Sequence, residues 1–158
     1  NISMKKMLLV IILSLFLCSC KKIDEEVKKA NIYKEYVSET KNVNEEIKNN
    51  KLDVKFEVKE LSNDYLNYAV YVNTNHLVMN DVIAILVHDK ESENSFPSIG
   101  IYDDKVSFDK DSEKLGIKLS GFLENNKEVN FKFMIQYNDE EGKLNKYYYF
   151  YNYRQNLT

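Results

Sequence analysis

The stretch VNFKFMIQYNDEEGKLNKYYYFYNY, residues 129–153, predicts a hairpin of two β-strands. Its first nine residues alternate apolar and polar side chains with the period of two typical of a half-buried strand. Its last ten, residues 144–153, are rich in tyrosine and phenylalanine, which favour strands. The segment NDEEG between them has the composition of a hairpin turn and ends in glycine. The sequence therefore predicts an antiparallel pair near the end of the chain.

The register of this hairpin decides which tyrosines face the core, because a shift of one residue exchanges the two faces of a strand. A four-residue turn at 139–142 pairs Asn138 with Lys143 and places Phe133 opposite Tyr148. This register predicts a core face of Phe131, Phe133, Ile135, Tyr148 and Phe150, and an outer Tyr strip of Tyr147, Tyr149, Tyr151 and Tyr153 beside Lys132. A turn of odd length would reverse the faces and bury the four tyrosines, each with a hydroxyl to satisfy.

The polar neighbours of the outward arrangement favour it, so the outer Tyr strip and Lys132 are the candidate binding residues. Tyrosine offers rigid contact area with a polar tip, which suits a protein or glycan partner. Two other interpretations stay open. Tyrosine tolerates a half-exposed strand without binding anything, and the preceding segment could fold back and cover the strip.

The rest of the chain after residue 51 repeats the strand pattern. LDVKFEVKE at 52–60 alternates without interruption, and YLNYAVYVN at 65–73 keeps its apolar residues on one face. DVIAILVHD at 81–89 contains a continuous apolar run, as expected of a central strand. With shorter candidates between 98 and 123, this makes seven to eight short strands separated by frequent turns. The pattern predicts an all-β antiparallel sandwich over 52–158, with a small barrel as the alternative.

The later strands also resemble those of the bacterial immunoglobulin-like domains of cell-surface proteins. The resemblance lies in Gly121 and Leu123 before the turn ENNKE, followed by the aromatic hairpin 131–153. It implies an immunoglobulin-like sandwich. The cysteine and tryptophan that pin antibody domains are absent from this part of the sequence.

The N-terminal residues predict export. Lys5 and Lys6 precede MLLVIILSLFL at 7–17, with Met4 as the expected start. The apolar run is shorter than the roughly 20 residues of a membrane-spanning helix and falls within the range of a signal peptide, about 7–15 residues. Residues 1–19 are therefore predicted to be a signal peptide.

The tetrapeptide LCSC at 17–20 resembles the lipobox of bacterial lipoproteins. The resemblance implies cleavage after Ser19 and lipidation of Cys20, whereas Leu17 is too bulky to precede Cys18 in that role. A diacylglyceryl group supplies the two chains that stable anchoring takes. The alternative, a C-x-C metal or redox pair, lacks a nearby histidine or further cysteine. The chain is thus expected to sit on a bacterial membrane without spanning it.

Residues 20–51 are predicted to be a lipidated tether, with eight lysines against seven acidic residues and no Gly or Pro. Apolar residues recur near helical spacing at Ile23, Val27, Ala30 and Tyr33, so the tether is either a charged amphipathic helix or a loosely ordered spacer. Removal of Lys5 and Lys6 leaves 20 basic against 25 acidic residues, a net charge of −5. This balance argues against nucleic acid as a partner.

The remaining candidate sites are few. Asp109, Asp111 and Glu113 are calcium candidates, but they lack the central glycine of an EF-hand loop, and the lysines among them favour a solvated loop. The two histidines, His76 and His88, have no partner at ligand spacing. The sequence also lacks a G-x-S-x-G elbow and a phosphate-binding glycine loop. It therefore predicts a non-catalytic binding protein without a cofactor, for instance an inhibitor or an immunity protein; the alternative is a structural subunit of a cell-envelope complex.

Overall fold

The computed structural model of the protein describes residues 4–90 and 98–156, with the backbone alone over 5–20 and 103–105. A helix is followed by seven strands, and the chain divides into two compact units, Asn1–Glu35 and Tyr36–Thr158. The elements are α1 (Met4–Asn42), β1 (Asp53–Glu60), β2 (Tyr65–Asn73), β3 (Met79–His88), β4 (Ser98–Phe108), β5 (Gly116–Glu124), β6 (Glu128–Asn138) and β7 (Leu144–Arg154).

The strands form two antiparallel sheets, one of three strands in the order β1-β2-β5 and one of four in the order β4-β3-β6-β7. Their inner faces meet in one apolar core, where the Tyr68 ring lies 5.3 Å from the ring of Phe131. Phe56 of the smaller sheet meets Phe133 of the larger one edge to face at 6.5 Å. The predicted all-β sandwich is confirmed, and the described strands fall within the predicted number.

From Ala84 to His88, β3 is buried on both faces, as its continuous apolar sequence predicts. Leu86 faces the core, and Ile85, on the opposite face, is equally inaccessible to solvent. Ile85 also fills the space above Gly100 of β4, where an added Cβ would come within 2.5 Å of its Cδ1. An outer face of a sandwich is usually polar, so something must cover this one.

Residues 36–49, which we call the clasp, cover the β6 and β7 part of this face. The clasp consists of the last turns of α1 and the chain that follows, and it lies against the outer face of the four-stranded sheet. Thr40 of the clasp is fully buried, and Ile47 forms an isolated antiparallel bridge with Tyr148 of β7. The compact unit therefore begins at Tyr36, within the predicted tether 20–51, and not at residue 52. Of the two alternatives for the tether, the helix is found as far as Asn42.

The β6–β7 hairpin has a turn one residue longer than predicted. Asn138 pairs with Leu144, so Phe133 lies opposite Tyr149. The side chain of Asp139 causes the difference, because its Oδ1 accepts hydrogen bonds from the backbone N–H groups of Glu141 and Lys143 and holds Lys143 in the turn. Gly142 adopts the left-handed conformation that such a turn needs, with φ of 79°.

In the part of the chain that the structure describes, no helix has both the length and the hydropathy required to cross a bilayer.

Candidate functional site

The predicted outer Tyr strip faces inward. Because the turn is of odd length, Tyr147, Tyr149, Tyr151 and Tyr153 all lie on the core side of β7, and the outward assignment is wrong. Tyr149 is only 7% exposed. Tyr151 stacks on Phe56 with ring centres 5.2 Å apart and remains partly accessible at the edge. These side chains mainly close the edge of the sandwich.

The buried tyrosine hydroxyls find partners around Asn49, at the end of the clasp. The backbone N–H of Asn49 donates to the Tyr149 hydroxyl at 3.3 Å. Tyr147 donates to Asn145 at 3.2 Å. Burial, together with the neighbouring Tyr147, raises the pKa of Tyr137 to about 12 despite a hydrogen bond with the Asn49 side chain. The cost of burying these hydroxyls is thus offset by a local polar cluster.

Lys132 does lie on the outer face, but its charge is engaged within the molecule. Its Nζ donates to the carbonyl oxygens of Lys41 at 2.8 Å and Val43 at 2.7 Å, where α1 ends. It also lies 5.2 Å from the centre of the Phe150 ring. A cation at a helix C-terminus satisfies unpaired carbonyls and complements the helix dipole. Lys132 therefore fastens the clasp.

Glu39 fastens the clasp at a second point. Its Oε1 accepts hydrogen bonds from the Tyr148 hydroxyl and from Nζ of Lys146, both at 2.6 Å. Partial burial raises the pKa of Glu39, but these two hydrogen bonds outweigh it and hold the pKa below its usual value. Burial and the hydrogen bond to Glu39 raise the pKa of Tyr148 far above its usual value. Glu46 adds a third point, since its carboxylate accepts the backbone N–H of Phe150 at 2.7 Å.

The calcium candidates do not form a ligand set. Asp109 uses Oδ1 to accept hydrogen bonds from the backbone of Asp111 and the hydroxyl of Ser112, as in an ordinary turn. Among the residues that the structure describes, no group of three or more His, Cys, Asp or Glu side chains is placed to hold a metal ion. The side chain of Cys20 lies outside the described part, and its lipidation stays a prediction.

The histidines have ordinary surroundings. His88 is buried beside Tyr68, with ring centres 5.4 Å apart, and its Nδ1 accepts the backbone N–H of Lys90.

A cleft of about 420 Å³ opens nearby on the sheet, next to the clasp. Its lining residues are Lys41, Val87, His88, Asp89, Asn130 and Lys132. Two of its charged groups are already engaged, since Lys132 binds the clasp and the Asp89 carboxylate accepts two hydrogen bonds from Asn130.

A surface that the sequence did not single out is the outer face of the three-stranded sheet. We call it the platform, defined by Leu61, Tyr65, Tyr71 and Phe122 with the outward residues between them. Leu61 and Phe122 are 58% and 59% exposed, and Tyr65 is 42% exposed. The backbone N–H of Leu61 donates to the carbonyl of Tyr65 at 3.0 Å, which places the two residues side by side.

Strand register brings Phe122 into the same patch. Asn67 pairs with Phe122 and Tyr65 pairs with Glu124, so Tyr65 and Phe122 are diagonal neighbours, about 7–8 Å apart. A signal for this patch was present in GIKLSGFLE at 116–124. Alternation there turns Ile117, Leu119 and Leu123 inward, and it leaves Phe122 as a large apolar residue on the outer face.

No protein-family model matches the chain, and no curated protein matches it in sequence.

Proposed function

We propose that the chain is a bacterial lipoprotein, anchored in a membrane of the cell envelope through Cys20, whose sandwich is a non-catalytic binding domain for a protein or a glycan. The observation that carries the proposal is LCSC at 17–20, at the end of an export-like apolar run and before the charged segment 21–51. A folded domain beyond such an anchor acts where it meets partners outside the cytoplasm. Inhibition of a secreted enzyme, or immunity against one, is a specific form of this role.

The strand order supports an immunoglobulin-like version of the sandwich. β2 pairs with β5 in one sheet, and β3, β6 and β7 are adjacent in the other. Antibody constant domains share this arrangement of the central strands, but their fourth strand pairs with the fifth, in the sheet that also holds the first and second strands. Here β4 pairs with β3 instead. The likeness is therefore in the central strands, and the edge differs.

A binding role is also supported by how the charged side chains are used. Lys132, Glu39 and Asp89, which line or adjoin the cleft and the clasp, are held by contacts within the chain. The platform, in contrast, presents large apolar side chains to solvent. Contiguous exposed apolar patches with polar rims mark interaction sites and ligand-binding grooves.

Acylation is tested by feeding a palmitate analogue to bacteria that express the full chain. We expect the wild type and Cys18→Ser to take up label and to partition with membranes. Cys20→Ser should lose the label and remain unprocessed. Labelling of Cys20→Ser equal to that of the wild type would refute the anchor.

A structural subunit of an envelope complex is the second candidate, because exposed Leu61 and Phe122 could be covered permanently by a neighbour. The rate at which a maleimide modifies the variant Phe122→Cys distinguishes the two roles. A binding domain waiting for its ligand should react in intact envelopes as fast as the purified protein does. Protection in envelopes, lost on purification, would favour the structural role.

A further inference from the structure

We propose that the platform binds a neutral carbohydrate chain, which stacks on Tyr65 and Phe122 and extends along β2 towards Tyr71. This proposal assigns a ligand class and a surface to the binding domain. It rests on the proposed function only in assuming that the domain meets its ligand outside the cytoplasm. The surface differs from the outer Tyr strip that the sequence suggested, because that strip faces the core.

The shape of the platform suits a narrow, extended ligand. Its outward residues follow β2 in a row, with Tyr65 and Phe122 at one end and Tyr71 at the other. Tyr71 lies under Nζ of Lys118, 5.4 Å from the ring centre. Between the two ends lies Ala69, a small residue that its neighbours, among them Glu57 and Ser120, leave only 4% exposed. The row therefore has rings at both ends and a short side chain between them.

The chemistry of the platform alternates between apolar rings and polar side chains. Asn67 lies beside Phe122, Glu124 beside Tyr65, and Ser120 beside Ala69. A sugar ring has an apolar face of C–H groups, which packs on an aromatic ring, and a periphery of hydroxyls, which need both donors and acceptors. The platform offers both kinds of group between its rings.

The charge of this face argues against polyanionic ligands. Its outward residues include three lysines and three carboxylates, so the face is neutral on a chain of net charge −3. These residues are Asp53, Lys55, Glu57, Lys59, Lys118 and Glu124. A nucleic acid or an anionic lipid surface would need an excess of positive charge. A neutral polymer does not.

A protein partner fits less well. A stable protein interface covers about 800 Å² on each partner and concentrates its apolar anchors near the centre. Here the exposed apolar side chains lie at one end, and the centre is Ala69 between Glu57 and Ser120. A second copy packed face to face about an axis along β2 would oppose Lys55 to Lys118, which is repulsive.

The test is electrophoresis of the intact protein, purified in non-ionic detergent, through native gels that contain a soluble polysaccharide. The probes are hydroxyethyl cellulose, amylose and laminarin as neutral glycans, and polygalacturonate as an anionic one. We expect at least one neutral glycan to retard the protein in proportion to its concentration. The double variant Tyr65→Ser with Phe122→Ser should weaken that retardation at least tenfold.

The matched control is Leu144→Ser, which also removes an exposed apolar side chain, 54% exposed, but from β7. It should be retarded like the wild type, and all variants should melt within a few degrees of the wild type. The proposal is overturned if no neutral glycan retards the protein, if polygalacturonate alone does, or if Leu144→Ser loses as much as the double variant. Cross-linking of a protein at position 122 in intact cells, without glycan retardation, would also overturn it. Uptake of the palmitate analogue at Cys20 is read separately, so loss of glycan binding leaves the anchor intact.

Discussion

At the scale of single residues, the β7 tyrosines show that a buried side chain need not face the core of the sandwich. Tyr148 was expected to be buried because it faced the core, and it is buried, but on the opposite face, beneath the clasp. Phe150 changes face with it and lies half-buried under Lys132. Tyr149 makes the reverse change into the core and meets Asn49. Each hydroxyl is tolerated where a nearby acceptor or donor compensates its burial.

Tyr148→Phe isolates one of these compensations. The variant keeps the ring and removes the donor to Glu39, so we expect it to lower the free energy of unfolding by about 1–2 kcal/mol. Urea titration measures the change. Tyr151→Phe in the same strand is the control, since no hydrogen bond of its hydroxyl is seen in the described structure, and it should change stability by less than about 0.5 kcal/mol. Equal effects in the two variants would contradict the role of the Glu39 contact.

At the scale of elements, the clasp behaves as a third layer added to the four-stranded sheet. Lys132 meets the carbonyls at the end of α1, Glu39 meets Tyr148 and Lys146, and Ile47 pairs with the edge of β7. The pairing at the edge covers backbone groups that an open strand would present to other chains. The element thus protects both a face and an edge.

The clasp should loosen in acid. The folded pKa of Glu39 is depressed, so its contribution to stability is complete above the unfolded value of 4.5 and is lost as the pH falls through the lower folded value. Glu46 is depressed in the same direction, because its bonds to Phe150 and Lys48 outweigh the opposing effect of burial. We expect unfolding titrations between about pH 6 and pH 3 to show falling stability, with a weaker fall in Glu39→Gln.

Glu45→Gln, also in the clasp and exposed, is the matched control and should retain the pH dependence of the wild type. If Glu39→Gln follows the wild-type curve throughout, Glu39 does not fasten the clasp.

At the scale of the whole molecule, the clasp moves the domain boundary. Tyr148 on the outer face of the sheet is 6% exposed and contacts Glu39 and Ile47 of the clasp, so a chain that starts at residue 52 would expose it. Each large apolar side chain taken from water contributes about 1.5–3 kcal/mol. The folding unit is therefore expected to need residues from Tyr36 onward.

Two fragments test this boundary. Residues 36–158 should unfold cooperatively and bind little of the dye ANS. Residues 52–158 should bind ANS strongly and melt at a lower temperature or aggregate, because the uncovered face is apolar. Matching melting temperatures for the two fragments would show that the clasp is dispensable for folding.

The sequence by itself determined the local structure of this protein. Alternation in 52–60 and 129–137 and the apolar run at 81–89 specify strands, and their number specifies an all-β sandwich, because side-chain period follows directly from backbone geometry. The apolar run of β3 also predicts that both faces of this strand are covered.

Tertiary structure alone decided the register of the last hairpin and the partner of the outer face. The register depended on one carboxylate, Asp139, which holds Lys143 in the turn, and a shift of one residue turns every side chain of a strand to the other face. The cover depended on Lys132 and Tyr148 meeting the clasp across about 90 to 110 residues of sequence. Such contacts produce no periodic pattern in the sequence. The tyrosines of the predicted outer strip therefore pack in the core, and the exposed aromatic surface is formed by Tyr65 and Phe122.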